Sequence, residues 1–216
     1  MINGDWSSDV CSSDLKLKKR IMACVVAAAV VVTSAVTAMA AGSIDKTGKA
    51  DGYKVAVVDT TTPIYQEISK TYTVLPGAVV DVNKGTDVMK DFIAAAKEET
   101  TANANLTEDQ KANLLEIAEK LEGTEFVTAF YSLTEDENSD VTIEKTEDGK
   151  YKVTLTVQNL TKDLTGLKVL AYNAKTGLWE IVEIPAEDID LENHTVTITL
   201  EDISLFSIIS DAPAAK

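Results

Sequence analysis

The chain has 216 residues with a formal net charge of −15, and 45% of its residues are hydrophobic. From residue 41 onward it keeps 32 carboxylates against 16 lysines and contains no arginine. That balance argues against nucleic acid, whose phosphates are met by Lys and Arg, and against docking on an anionic membrane surface.

In chain order, residues 1–15 read "MINGDWSSDVCSSDL", an acidic, Ser-rich leader with a near-repeat, "SSDV" then "SSDL". It resembles the conceptual translation of a sequencing adapter and is set apart from fold reasoning. Residues 16–40 have the layout of a secretory signal peptide. Lys16, Lys18, Lys19 and Arg20 precede an apolar run from Ile21 to Val36, and "TAMA" then "AGS" supplies small residues for cleavage between Ala40 and Ala41. The run is short for a membrane span of about 20 residues, so contact with a membrane is expected only through an uncleaved signal segment. Cys11 and Cys24 both precede the cleavage point. The exported part is therefore expected to have no disulfide, thiolate metal site or cysteine nucleophile, and to hold together through its apolar core.

Residues 41–51 are small and polar and predict a flexible N-terminus. The remainder, 52–212, is expected to form a single domain. "YKVAVVD" predicts a strand with Tyr53, Val55 and Val57 on one face. "IYQEISKTYTVL" fits a strand or a helix, with Ile64, Ile68 and Tyr72 as its apolar positions. Pro76-Gly77 signals a turn before a short apolar run. Helices are predicted over about 86–99 and 108–122. In the first, Val88, Phe92 and Ala95 fall at helical spacing, as do Met89, Ile93 and Ala96. The second starts on a capping box, Thr107 with Gln110, buries Leu114, Ile117, Ala118 and Leu121, and ends near Gly123.

From Glu125 the apolar period becomes two. "FVTAFYSL" leads into a predicted hairpin, "VTIEKTEDGKYKVTLTV", turning at Glu147-Asp148-Gly149. Its second arm puts Tyr151, Val153, Leu155 and Val157 on one face and Lys152, Thr154 and Thr156 on the other. A further hairpin around Asn173 to Gly177 is apolar on both faces and predicts central strands. Val196, Ile198 and Leu200, then Leu205 to Ile209, complete the pattern. The expected fold is mainly β with a helical segment: an antiparallel Ig-like β-sandwich preceded by two short helices.

"YKVTLTVQNLTKDLTGLKVLAYNAKTGLWEIVE" followed by "HTVTITLEDISLFSIISD" resembles the C-terminal β-module of small exported and surface proteins of Gram-positive gut bacteria. Those modules end in a strand of the type "LSPFAVV", here "ISLFSII", with Leu205 where the pattern has proline. The resemblance covers roughly residues 125–210. It implies an extracellular β-sandwich and brings no catalytic residues.

The chemistry-bearing residues are few. His194 is the only histidine, which leaves His-based triads and zinc sites without partners and places no cofactor. "DVNKGTDVMKDF", from Asp81 and Asn83, has the opening of a calcium loop. It lacks glycine at the sixth position and an acid at the twelfth, where Thr86 and Phe92 stand. "TEDENSD" at 134–140 reads as an acidic loop. Trp179, Tyr172 and Tyr131 are the aromatics that could line a carbohydrate-stacking surface. The expectation is an exported, non-catalytic extracellular or cell-surface module whose partner is an extracellular protein or a glycan. A carbohydrate-binding module is the alternative, and a glycosidase using two carboxylates stands behind it.

Overall fold

The computed structural model describes residues 44–85, 88–202 and 205–213. The chain enters through two short strands, β1 (Lys49–Ala50) and β2 (Tyr53–Val57). Four helices follow: α1 (Pro63–Thr71), α2 (Leu75–Lys84), α3 (Met89–Ala102) and α4 (Glu108–Lys120). The remaining strands are β3 (Thr124–Phe126), β4 (Tyr131–Glu135), β5 (Tyr151–Thr156), β6 (Lys168–Asn173), β7 (Leu178–Glu183), β8 (Ile189–Asp190), β9 (Thr195–Leu200) and β10 (Leu205–Asp211). All ten belong to one curled antiparallel sheet of order β7-β6-β10-β4-β2-β1-β5-β9-β8, with β3 also paired to β10. The protein is thus mixed α+β.

The helical segment is larger than the sequence reading allows: four helices, lying between β2 and β3 rather than ahead of the strands. The i, i+4, i+8 spacing of Ile64, Ile68 and Tyr72 resolves as helix α1, with Pro63 in its first turn. Pro76 likewise sits in the first turn of α2, where its missing N–H removes no intrahelical bond. Pro76-Gly77 is therefore not a turn. Both expected helices form, as α3 and α4, and the Thr107–Gln110 capping box closes in both directions.

Strands β6 and β10 are buried on both faces, and this divides the interior in two. On one face Leu170, Tyr172, Leu205 and Ile209 meet the helices through Ile68, Val79, Phe92, Leu114 and Leu121. On the other, Val169, Ala171, Phe206 and Ile208 meet Val153, Leu155, Val196, Ile198 and Leu200 from the β5–β9 hairpin. The β5 and β9 alternation matches the sequence reading, and on their outer face Thr154 and Thr197 hydroxyls lie 3.0 Å apart. Strand β6 is internal as expected, whereas β7 ends the sheet.

Three local expectations need correction. The predicted turn forms, with Gly149 at φ 84°, but the first arm, 141–146, is not a strand: it meets β5 at the single bridge Lys145–Tyr151, with the Lys152 N–H donating to the Glu144 carbonyl. "FVTAFYSL" does not run as one strand. Val127 and Thr128 both donate to the Ile208 carbonyl, a bulge that separates β3 from β4. The segment 41–51 is not loose over its described part. Asp45 is 4% exposed, and β1 pairs with both β2 and β5. Polar side chains hid this segment because its backbone, not its side-chain pattern, docks it.

Candidate functional site

The three candidate ligand-contact aromatics lie inside the protein. Trp179 and Tyr172 are each 2% exposed and Tyr131 is 1% exposed, so none offers a ring face to a sugar. Trp179 packs between Tyr172, Phe92 and Phe130, with ring centroids 5.5, 5.7 and 6.1 Å away. Tyr131 belongs to the other core against Phe206, and its hydroxyl donates to the Asp45 carbonyl at 2.7 Å. The three residues therefore do not converge, and the stacking surface is withdrawn. The cleavage residues Ala40 and Ala41 lie outside the described residues.

His194 sits in the turn before β9 with φ 53°, and its Nδ1 lies 3.0 Å from the Leu160 carbonyl. Asp81 and Asn83 are on α2 rather than in a loop. Asp81 pairs with Lys84 at 3.1 Å, and the Asn83 amide is buried. In the acidic loop, Asp136 accepts from the Asn138 N–H and pairs with Lys54. Among the described residues no group of three or more His, Cys, Asp or Glu is placed to hold a metal ion.

What the structure does assemble is a set of buried polar clamps. Glu99 on α3 is fully buried beneath the start of α2. Its carboxylate accepts from the N–H groups of Thr73 (2.7 Å), Val74 (2.5 Å) and Leu75 (2.9 Å), from the Thr73 hydroxyl (3.0 Å), and from Asn103 Nδ2 (2.8 Å). Helix α2 has no side-chain cap of its own at Val74, so Glu99 supplies one from a neighbouring helix. Burial pushes the Glu99 carboxyl up, but the hydrogen bonds together outweigh it and hold the group below the ordinary glutamate range.

Two asparagines act as surrogate strands. Asn83 accepts from Phe130 N–H (2.6 Å) and donates to the carbonyls of Phe130 (3.1 Å) and Val58 (2.7 Å). This satisfies backbone groups just after the bulge. Asn113 of α4 accepts from Trp179 N–H (2.9 Å) and donates to its carbonyl (2.8 Å), capping one position of the edge strand β7. Asp45 accepts from Thr47 and from the Gln158 N–H, while its own N–H bonds the Val127 carbonyl. Gly48 passes so close to the Tyr131 ring that an added Cβ would meet it at 2.7 Å.

Every described lysine is at least partly exposed, and the buried asparagine amides are bonded to backbone or to Glu99. Among the described residues an intramolecular Lys–Asn crosslink therefore has no buried pair to form from. Intact mass spectrometry is expected to give the calculated mass; a species lighter by one ammonia would contradict this.

At the surface, a depression of about 260 Å³ is lined by Thr47, Lys49, Thr156 and Gln158. Glu180 on β7 is half-buried. Its carboxyl is pushed up by burial first, then by Glu201 and Asp202, with Lys150 opposing. No helix among the described residues is long and apolar enough to cross a membrane. Comparison with family models, curated proteins and solved structures finds no match to the chain.

Proposed function

We propose that the chain is an exported, non-catalytic module that works outside the cell or at its surface by binding another macromolecule. The observation that carries the reading is the order of residues 16–40: cationic, then apolar, then small up to Ala40 and Ala41. The absence of cysteine after residue 24 agrees with a fold that relies on packing alone. The α+β body supplies that packing through its two cores. The β5–β9 hairpin facing β6 and β10 across one of them supports a sandwich-like description of the β part, related in kind to Ig-like layers.

Expression of the full chain in a Gram-positive host tests the reading. The expected product is in the culture medium or on the cell surface, with Ala41 as its first residue by N-terminal sequencing. An intracellular product that retains residues 16–40 would overturn it.

A further inference from the structure

The shortest strand at the N-terminal side is a joint in the sheet. In the order β4-β2-β1-β5-β9-β8, the leaf made by β5, β9 and β8 reaches the other strands only through β1 among the described residues. Lys49 and Ala50 pair with Thr156 and Leu155 of β5, and Ala50 pairs with Tyr53 of β2. Residues 44–48 cross the same seam. The Asp45 N–H donates to the Val127 carbonyl (3.1 Å), and its own carbonyl accepts from the Ala129 N–H (2.9 Å) and the Tyr131 hydroxyl (2.7 Å). The Asp45 carboxylate accepts from the N–H of Gln158, two residues past β5. A further tie, from Asn159 Nδ2 to the Val127 carbonyl (3.2 Å), ends on the oxygen that also holds the Asp45 N–H.

Segment 44–50 is held more by hydrogen bonds than by apolar burial. Ile44, half-buried, packs against both cores, while Lys46, Thr47 and Lys49 are exposed. Such a segment lies at the low end of local stability, since each bond exchanged with water contributes little net free energy. The leaf depends on it. Strands β5 and β9 are far apart in sequence, with β6 and β7 between them, so their pairing closes a long loop, and two strands alone are marginal in water. The helices, by contrast, pack on β6 and β10 through a core of their own, to which no residue of β5 or β9 belongs.

We infer that residues 44–50 are a strap that latches the β5–β9 leaf onto the rest of the sheet, and that the leaf opens as a unit when the strap leaves while the helical core stays folded. Closed, the strap joins β2 to β5 and seals the seam through Asp45. Open, it uncovers the facing backbone edges of β2 and β5 and the second core, with Val153, Leu155, Val196 and Ile198 on one side and Phe206 and Ile208 on the other. The fold thus carries two stability levels in one sheet, and whatever draws residues 44–50 away selects the lower one.

Native-state hydrogen exchange, read by mass spectrometry on peptic peptides, tests the latch. Peptides covering 44–50, 150–157 and 194–200 are expected to exchange together, and faster than peptides from α4, β6 and β10. Two variants act on the strap from opposite sides. Asp45→Asn keeps the volume but only one acceptor oxygen, so either Thr47 or Gln158 loses its partner. Gly48→Ala drives a Cβ against the Tyr131 ring. Each is expected to speed exchange in all three peptides about tenfold or more and to leave α4 and β6 unchanged. If Gly48→Ala does not fold, Asp45→Asn decides alone. Faster exchange confined to 44–50 would overturn the inference, because the leaf would then hold without its strap. An equal rise in every peptide, or no rise in any, would overturn it too, because the strap would then not gate a separate unit.

Discussion

Replacing Glu99 with alanine is expected to destabilise the fold by about 3–5 kcal/mol, because it leaves buried backbone N–H groups without acceptors. Three of the five bonds to this carboxylate come from consecutive residues, Thr73, Val74 and Leu75, at the start of α2. Without it the first turn of α2 has no side-chain cap, and the buried Leu75 N–H loses its acceptor. Glu99→Gln keeps the volume but turns an amide donor towards donors, so it is expected to fall between alanine and wild type. The pH dependence has a definite sign. The folded-state pKa is lowered, so the stabilisation is fully present above the unfolded glutamate pKa of about 4.3 and is lost as pH falls through the folded value. Glu125 and Glu180 act in the opposite sense, because burial raises them. The wild-type profile alone therefore mixes both signs. The informative quantity is the difference between wild type and Glu99→Gln in urea unfolding, measured from neutral pH down to pH values below the ordinary glutamate range. That difference is expected to shrink with acid; a constant difference would mean that the carboxylate charge is not what holds α2.

Much of the fold follows from patterns that a sequence displays directly. Tyr151, Val153, Leu155 and Val157 alternate with polar residues, and β5 buries that face. Helix α4 announces itself through Thr107, Gln110 and a stripe of Leu114, Ile117 and Leu121, all of which do what the pattern says. Helix α1 was harder because the spacing of Ile64, Ile68 and Tyr72 fits strand or helix, and α2 because Pro76-Gly77 reads as a turn, while proline in a first helical turn is compatible with helix. The break between β3 and β4 has no side-chain signal. It comes from Ile208 accepting two N–H groups, and from Asp45 and Asn83 binding the backbone on either side. The polar clamps had a signal that composition obscured. Met89, Phe92, Ala96, Glu99 and Asn103 fall on one helical stripe, so an acid and an amide continue an apolar face. A charged residue on such a stripe needs donors, and Glu99 has five. The β7 edge, by contrast, was not legible, since strand order in a sheet is a long-range property. A hairpin apolar on both faces fits a central strand, and β7 has its outer face covered by α4 rather than by another strand.

Trp179→Ala is expected to cost about 3–5 kcal/mol and to act on the whole fold rather than on a surface. The indole is 2% exposed and holds together Phe92 of α3, Phe130 just before β4 and Tyr172 of β6. Removing it leaves a large cavity at the junction of helices and sheet. Because Asn113 binds the Trp179 backbone rather than its side chain, that clamp survives the substitution in principle but loses the packing that orients it. Trp179→Phe provides the discriminating control. The indole Nε1 is buried with no hydrogen-bond partner among the described residues, so phenylalanine removes volume without orphaning any partner. It is expected to cost well under half of the alanine penalty and to keep cooperative unfolding. Once residues 1–40 are removed Trp179 is the only tryptophan, so its emission reads the same event directly. The native protein should emit to the blue of the unfolded chain, and a quencher such as iodide should reach the indole only after unfolding. Strong iodide quenching of the native protein, or an alanine variant as stable as wild type, would return Trp179 to the surface and reopen the carbohydrate-stacking role that its burial removes.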